Sequence, residues 1–232
     1  MLARFRTLSL LLALASSAAA WASGDEGAWW SYRDAYRALV KFDKLSQPKH
    51  LIQQQLQVQA LTANPSVDGL QLRLQGGATD ISLALDTALH TRVPLLKTAY
   101  DDNAVLRLNR RAQAFGFRVR ISILPRPDGS YPVQELRQAC EQVLEAQRRV
   151  DSEHPPGKRC IGVNLVYGRD TSPLVNWRLG SAQKTLSAVP GPLYPGEADR
   201  EHAVVPVRWE AGGENALVHT QATPILITAV LE

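Results

Sequence analysis

Residues 115–123 alternate between apolar and polar side chains. The odd positions are apolar: Phe115, Phe117, Val119, Ile121 and Ile123. Because successive side chains of a strand point to opposite faces of a sheet, this pattern predicts a strand with one buried face. A chain that contains such a segment has to build a sheet around it, and this requirement constrains the fold more than any other sequence feature.

Other segments with the same period predict the neighbours of this strand. Alternation over 56–60, 70–75 and 81–85 predicts three strands, and Gly76-Gly77 predicts a turn that joins the last two into a hairpin. Alternating apolar residues at 104, 106 and 108 predict a further strand that forms a second hairpin with 115–123. One helical turn is expected within 92–102, after Pro94.

Two longer helices are expected from apolar residues at helical spacing. Residues 29–45 form an amphipathic pattern with basic side chains on the opposite side. Pro132 suits the first position of a helix that ends near Arg149. The apolar face of that second helix consists of Val133, Leu136, Cys140, Val143 and Leu144. The second helix is therefore expected to dock on the sheet.

The chain has two cysteines, Cys140 and Cys160. In an oxidising compartment two cysteines at this separation are expected to form a disulfide, and two buried free thiols are the alternative. The bond would connect the second helix to the start of a strand at 161–167.

The last part of the chain is rich in proline and glycine. Strands are predicted at 204–209 and 217–231, joined by Gly212-Gly213. Pro206 and Pro224 argue that these are edge strands or contain bulges.

The overall prediction is an α+β fold, a mostly antiparallel sheet or sandwich with two helices, one of them docked on the sheet. The main domain is placed at 23–168, and 169–232 is expected to pack on the same domain.

The first 22 residues have the pattern of a secretory signal peptide. Arg4 and Arg6 precede an apolar run over 8–15, and small residues allow cleavage after Ala20 or Ala22. The apolar run is shorter than the roughly 20 residues that span a bilayer. The expected location is therefore the periplasm or the medium, with no membrane span after cleavage.

The charge balance argues against nucleic acid as a partner. The chain has 26 Lys and Arg, two of them in the leader, so that 24 remain against 22 Asp and Glu. A charge this close to neutral lacks the basic excess typical of nucleic-acid-binding domains.

Residues with catalytic potential are scattered along the sequence. The histidines are His50, His90, His154, His202 and His219, and no two have the spacing of a helical metal site. Asp101-Asp102-Asn103 fits turn capping better than calcium binding or glycoside hydrolysis. Ser130 has only a turn context, and neither a nucleophile elbow nor a dinucleotide fingerprint is present. We therefore predict no catalytic residue, no metal site and no cofactor.

Arginine is concentrated in the predicted second hairpin. Six arginines lie in this region: Arg107, Arg110, Arg111, Arg118, Arg120 and Arg126. Arg118 and Arg120 share the polar face of their strand, and Arg107 would join them across the pair. This face is the candidate binding surface for an envelope protein or an anionic envelope polymer, because arginine binds carboxylates and phosphates bidentately. The alternative is a solvated sheet face with acidic neighbours.

Aromatic residues cluster near the start of the exported chain: Trp29, Trp30, Tyr32 and Tyr36. Flat aromatic side chains bind sugars, but a core and a docked helix also require such residues.

One block of the sequence resembles a known group of proteins. It runs from Leu85-Asp86 through Val93-Pro94-Leu95-Leu96-Lys97 and Tyr100-Asp101-Asp102-Asn103-Ala104 to Leu108-Asn109-Arg110. This block is similar to uncharacterised exported proteins of Gram-negative bacteria, a domain of unknown function. The resemblance covers about residues 30–160, and it implies a periplasmic location and no catalytic residue.

Three functions are consistent with these patterns. The first is a non-catalytic periplasmic protein that binds an envelope component or another protein. The second is a carbohydrate-active hydrolase whose site is assembled from scattered His, Asp and Glu residues. The third is an assembly accessory whose exposed edge strand, within 204–231, pairs with a partner.

Overall fold

The computed structural model describes residues 27–62, 65–150 and 157–232. The predicted signal peptide and its cleavage point lie outside these residues, as does His154. Within them the chain forms antiparallel sheets and three helices, which confirms the predicted α+β class. No helix in this part of the chain has the length and apolar character needed to cross a bilayer.

The described residues contain fifteen strands and three helices. The helices are α1 (Tyr32–Asp43), α2 (Lys97–Asp101) and α3 (Val133–Val150). The strands are β1 (Gly27–Ser31), β2 (Ile52–Ala60), β3 (Leu72–Gly76), β4 (Thr79–Leu83), β5 (His90–Thr91), β6 (Val105–Arg111), β7 (Phe115–Ile123), β8 (Ser130–Pro132), β9 (Cys160–Tyr167), β10 (Val175–Leu179), β11 (Ala182–Leu186), β12 (Val189–Gly191), β13 (His202–Arg208), β14 (Leu217–Thr220) and β15 (Leu226–Leu231).

The strands form three sheets. The central sheet has seven strands in the order β12-β13-β9-β15-β7-β2-β5. The N-terminal sheet has the order β1-β6-β3-β4, and the C-terminal sheet has the order β11-β10-β14-β8. The central sheet thus contains strands from both sides of residue 168, since β9 pairs with β13 and β15.

One half of the central sheet packs against α3 and the C-terminal sheet. Leu136 and Val143 of α3 are buried in the same cluster as Val163, Leu165 and other apolar residues of the central sheet. The disulfide between Cys140 and Cys160 joins α3 to the start of β9, as predicted. The apolar face of α3 that the sequence predicts is therefore the face that packs on the central sheet.

The face of the central sheet that contacts α3 continues into the other half of the sheet, where it packs against α1 and the N-terminal sheet. Leu56 and Val58 of β2 share a buried cluster with Tyr32 of α1 and with Leu74 and Leu106 of the N-terminal sheet. The hydroxyl of Tyr32 donates a hydrogen bond to the Pro94 carbonyl and accepts one from the Leu96 amide, both at 2.7 Å. These bonds attach α1 to the segment that leads into α2.

The β3–β4 hairpin is confirmed, but the predicted β6–β7 hairpin is wrong. β6 pairs with β1 and β3, whereas β7 pairs with β2 over nine residues and with β15. Residues 112–114 therefore carry the chain from one sheet to another. The alternating pattern identifies each strand, but it carries no information about which partner offers the longer complementary surface.

Two boundary predictions also need correction. Helix α1 begins at Tyr32 and not at residue 29, because Gly27–Ser31 pairs with β6 as a strand. The predicted strand at 217–231 is two strands in different sheets, separated around Pro224. β15 lies inside the central sheet between β9 and β7, so the edge-strand interpretation fails there. The strands β10, β11 and β12 were missed in the region predicted to be loop-rich.

Candidate functional site

The three arginines proposed from sequence are distributed over two sheets. Arg107 is exposed on β6 of the N-terminal sheet, whereas Arg118 and Arg120 lie on β7 of the central sheet. Because β6 and β7 do not pair, the structure does not assemble the predicted three-arginine hairpin face. The environments of Arg107 and Arg120 differ sharply.

Arg120 is enclosed by partners from other parts of the chain. Its guanidinium donates to Glu197 Oε1 at 2.6 Å and to Gln57 Oε1 at 2.7 Å, and it lies 4.4 Å from the centre of the Tyr194 ring. The side chains of Arg120 and Glu197 are 17% and 8% exposed. Arg120 therefore holds the segment around Glu197 against the face of the central sheet that is opposite to α1 and α3. With its guanidinium engaged in this way, Arg120 is not available to an external polymer.

A buried tyrosine–histidine contact extends this network. Tyr194 Oη lies 3.2 Å from His90 Nε2, and Asp86 Oδ1 accepts the backbone N–H of His90 at 2.8 Å. Burial lowers the pKa of His90 to about 4, against the opposing effect of Asp86 and with a further contribution from Arg120. Burial likewise raises the pKa of Tyr194 well above its usual range. Both groups are therefore neutral near pH 7.

An arginine-lined cleft of about 590 Å³ opens at the end of β6. Arg107, Arg110 and Arg111 contribute to its wall, and among the described residues no Asp or Glu lines it. The apolar part of the wall includes Leu108 and Phe115. The cleft thus combines apolar side chains with three arginines, of which Arg107 makes no hydrogen bond or ion pair with a described residue.

Backbone contacts fix the wall of this arginine-lined cleft. Asn109 accepts from the Gln71 amide at 2.9 Å and donates to the Gly69 carbonyl at 2.8 Å. Arg110 donates to the backbone carbonyl of Asp68. Because a carbonyl bears no formal charge, this bond orients the guanidinium without neutralising it. Gly27 is required on the facing strand, since a Cβ there would lie 2.0 Å from the Leu108 carbonyl oxygen.

A second cavity, of about 250 Å³, contains acids and a histidine. Its lining includes Glu197, Asp199, His202 and Arg169. Arg169 forms ion pairs with Asp199 and Glu201, and Glu197 is engaged by Arg120, so the carboxylates are held by arginines. Burial lowers the pKa of His202, and its Nδ1 atom has no hydrogen-bond partner among the described residues.

Three further candidates, Ser130, His219 and Asp101, lie outside these two cavities. Ser130 Oγ lies 3.2 Å from His219 Nδ1 across the β8–β14 pair, but neither residue lines a cavity described above. Asp101 accepts from Lys97 one helical turn earlier, at 2.6 Å. No group of three or more His, Cys, Asp and Glu side chains in the described ranges is arranged to hold a metal ion.

The fold and the cleft define an α+β protein with a cationic surface site. No protein-family model, no curated protein and no solved structure matches the chain. The sequence pattern singles out the arginine-rich region that contains this cleft. The cleft itself was missed, because Arg110 and Arg111 are brought to its wall only by the β1–β6 pairing and the 68–71 segment.

Proposed function

We propose that this chain is an exported, non-catalytic protein that binds an anionic component of the cell envelope. The observation that carries this proposal is the exposed guanidinium of Arg107 in the arginine-lined cleft, where Arg110 and Arg111 also line the wall and no described lining residue is Asp or Glu. The proposal retains Arg107 as a binding residue. Arg118 is replaced by Arg110 and Arg111, and Arg120 becomes a structural residue.

The chemistry of the cleft favours an anion. Its volume of about 590 Å³ is typical of ligand sites. Guanidinium groups bind carboxylates and phosphates through paired hydrogen bonds, and their attraction to a polyanion falls as salt is added. The protein as a whole has nearly balanced charges, so that the guanidinium groups of the cleft, and not the net charge, would select the ligand.

The proposed location is the periplasm. The Cys140–Cys160 disulfide supports an oxidising compartment, and the leader pattern supports export. The resemblance to uncharacterised exported proteins of Gram-negative bacteria is consistent with the same location.

The experiment compares two charge reversals at exposed arginines. Arg107→Glu alters the cleft, and Arg118→Glu is the matched control on β7 of the central sheet. Binding of polygalacturonate to purified protein is measured by titration at low and at physiological salt. We expect Arg107→Glu to weaken binding by on the order of tenfold or more, which corresponds to about 1.4 kcal/mol. Equal affinity of wild type and Arg107→Glu, or an equal loss in Arg118→Glu, would refute the proposal.

A hydrolase is the second candidate, and one observation favours it. The 250 Å³ cavity joins a neutral, buried histidine, His202, to the carboxylates Glu197 and Asp199. A general base of this kind would activate water for attack on a glycoside or ester. Turnover of polysaccharide that is abolished in His202→Gln, while Arg107→Glu leaves it intact, would favour the hydrolase over the binding protein.

A further inference from the structure

We infer that the ligand bound by Arg107 is an acidic saccharide. Arg107 would bind its acid group from the wall of the arginine-lined cleft, and Trp29, which lies beside Arg107 and outside the lining of the cleft, would stack on a sugar ring. This inference rests on the proposed function and adds the ligand class. It depends on an exposed indole that stands directly beside the exposed guanidinium.

The pairing of β1 with β6 brings the two side chains together. Trp29 is the register partner of Arg107 in this antiparallel pair, so both side chains lie on the same face of the N-terminal sheet. Trp29 is 55% exposed, and Arg107 is also exposed. The next residue, Trp30, lies on the opposite face and stacks on Phe117 with ring centres 6.3 Å apart. The chain thus partly buries Trp30 in the core and presents Trp29 to solvent.

The positive charge of Arg73, the neighbour of Arg107 on the side away from Trp29, is balanced by Asp80. Arg73 is its register partner on β3, and Asp80 accepts from Arg73 Nε at 3.0 Å and from Nη2 at 2.6 Å. Arg107 itself makes no hydrogen bond or ion pair with a described residue, and its guanidinium does not cover the Trp29 ring. Trp29 and Arg107 therefore offer an aromatic plane and an adjacent, unneutralised cation.

This combination fits an acidic sugar better than a simple polyanion. The C–H face of a pyranose is apolar and stacks on flat aromatic side chains, whereas inorganic phosphate has no such face. Directly opposed Cβ atoms in a sheet are about 5 Å apart, so an acid group at the ring edge reaches the guanidinium while the ring covers the indole. A nucleobase also stacks on tryptophan, but the chain lacks the basic excess of nucleic-acid-binding domains.

The test separates the aromatic contribution from the charge contribution. Purified wild type, Trp29→Ala, Trp29→Phe and Arg107→Ala are titrated with polygalacturonate, polyphosphate and oligothymidylate. We expect Trp29→Ala to weaken polygalacturonate binding by roughly tenfold and polyphosphate binding by less than twofold. Trp29→Phe is expected to recover most of the loss, and Arg107→Ala to weaken both polymers. Thermal unfolding of each variant checks that the exposed substitutions leave the fold intact.

Two results would overturn the inference. A Trp29→Ala variant that binds polygalacturonate as tightly as wild type would exclude stacking. Tighter wild-type binding of oligothymidylate than of polygalacturonate, with dependence on Trp29, would identify a nucleic-acid site instead. Failure of the proposed function has a different signature, since wild type would then bind none of the polymers or Arg107→Ala would have no effect on any of them.

Discussion

At the scale of single residues, Arg120 shows how a candidate binding residue becomes a structural one. It lies on the polar face of β7, as the alternation predicts, but that face is covered by Tyr194 and Glu197. Local sequence patterns do not indicate this cover, because residues 193–197 lie more than 70 positions away from Arg120 in a proline-rich stretch. The same segment also covers Gln57 on the neighbouring strand β2, where a polar side chain is only 2% exposed.

The Arg120–Glu197 pair is expected to contribute strongly to stability. Glu197→Gln removes the charge partner of a guanidinium that is mostly withdrawn from water. Breaking such a pair costs about 3–5 kcal/mol, because the remaining charge is buried and uncompensated. Urea unfolding should show this loss in the free energy of unfolding. Glu201→Gln, at an exposed ion pair with Arg169, is the control and should cost less than about 1 kcal/mol.

His90 is expected to make stability fall in mild acid. Its pKa is lowered to about 4 in the folded protein, chiefly by burial, whereas the unfolded chain has a histidine pKa of about 6.5. Between these values the unfolded state binds the proton, so the free energy of unfolding falls as pH falls, by up to about 1.4 kcal/mol per pH unit.

The pH effect of His90 can be isolated by substitution. His90→Gln retains a polar group near Tyr194 but removes the titration, so that the slope of unfolding free energy against pH between about pH 6.5 and 4 should become shallower. Parallel slopes for wild type and variant would assign the acid sensitivity to other groups. His202, whose pKa is also lowered by burial, contributes in the same direction and remains in both proteins.

At the scale of elements, the disulfide is the clearest link that the sequence predicted correctly. It closes a loop with a sequence separation of 20 and connects α3 to β9. Replacing both cysteines with alanine is expected to lower the free energy of unfolding by about 3 kcal/mol, mainly because the unfolded chain gains freedom. Chemical unfolding with and without reductant should give the same loss for the wild type. An unchanged midpoint after complete reduction would show that α3 docks without help from the bond.

Local patterns were sufficient for most helices and strands but not for their partners. Alternation located β2, β3, β4, β6 and β7, and helical spacing located α3. The predicted β6–β7 hairpin placed Arg107 beside Arg118, whereas the observed pairing puts them in different sheets, because partner choice depends on long-range surface matching. Because of Pro224, β15 was predicted to be an edge strand or to contain a bulge. It lies inside the sheet with a register shift between Val230 and Leu231, and Pro224 precedes the strand.

At the scale of the whole molecule, the two faces of the central sheet are covered by different parts of the chain. One face supports α1, α3 and the two smaller sheets, while the other is closed by the segment that contains Tyr194 and Glu197. The arginine-lined cleft lies between the end of β6, the start of β7 and residues Thr62, Pro65 and Ser66, and it shares no lining residue with the Arg120 network. Substitutions at exposed residues of the cleft are therefore expected to change binding without unfolding the protein.

The most direct test of the central claim is the rate at which individual arginines react with phenylglyoxal, followed by mass spectrometry. Polygalacturonate should slow modification of Arg107 and leave the exposed Arg118 and Arg178 unaffected. This result would place the anion in the cleft. An unchanged rate at Arg107, with protection of Arg118 or Arg178 instead, would contradict the account.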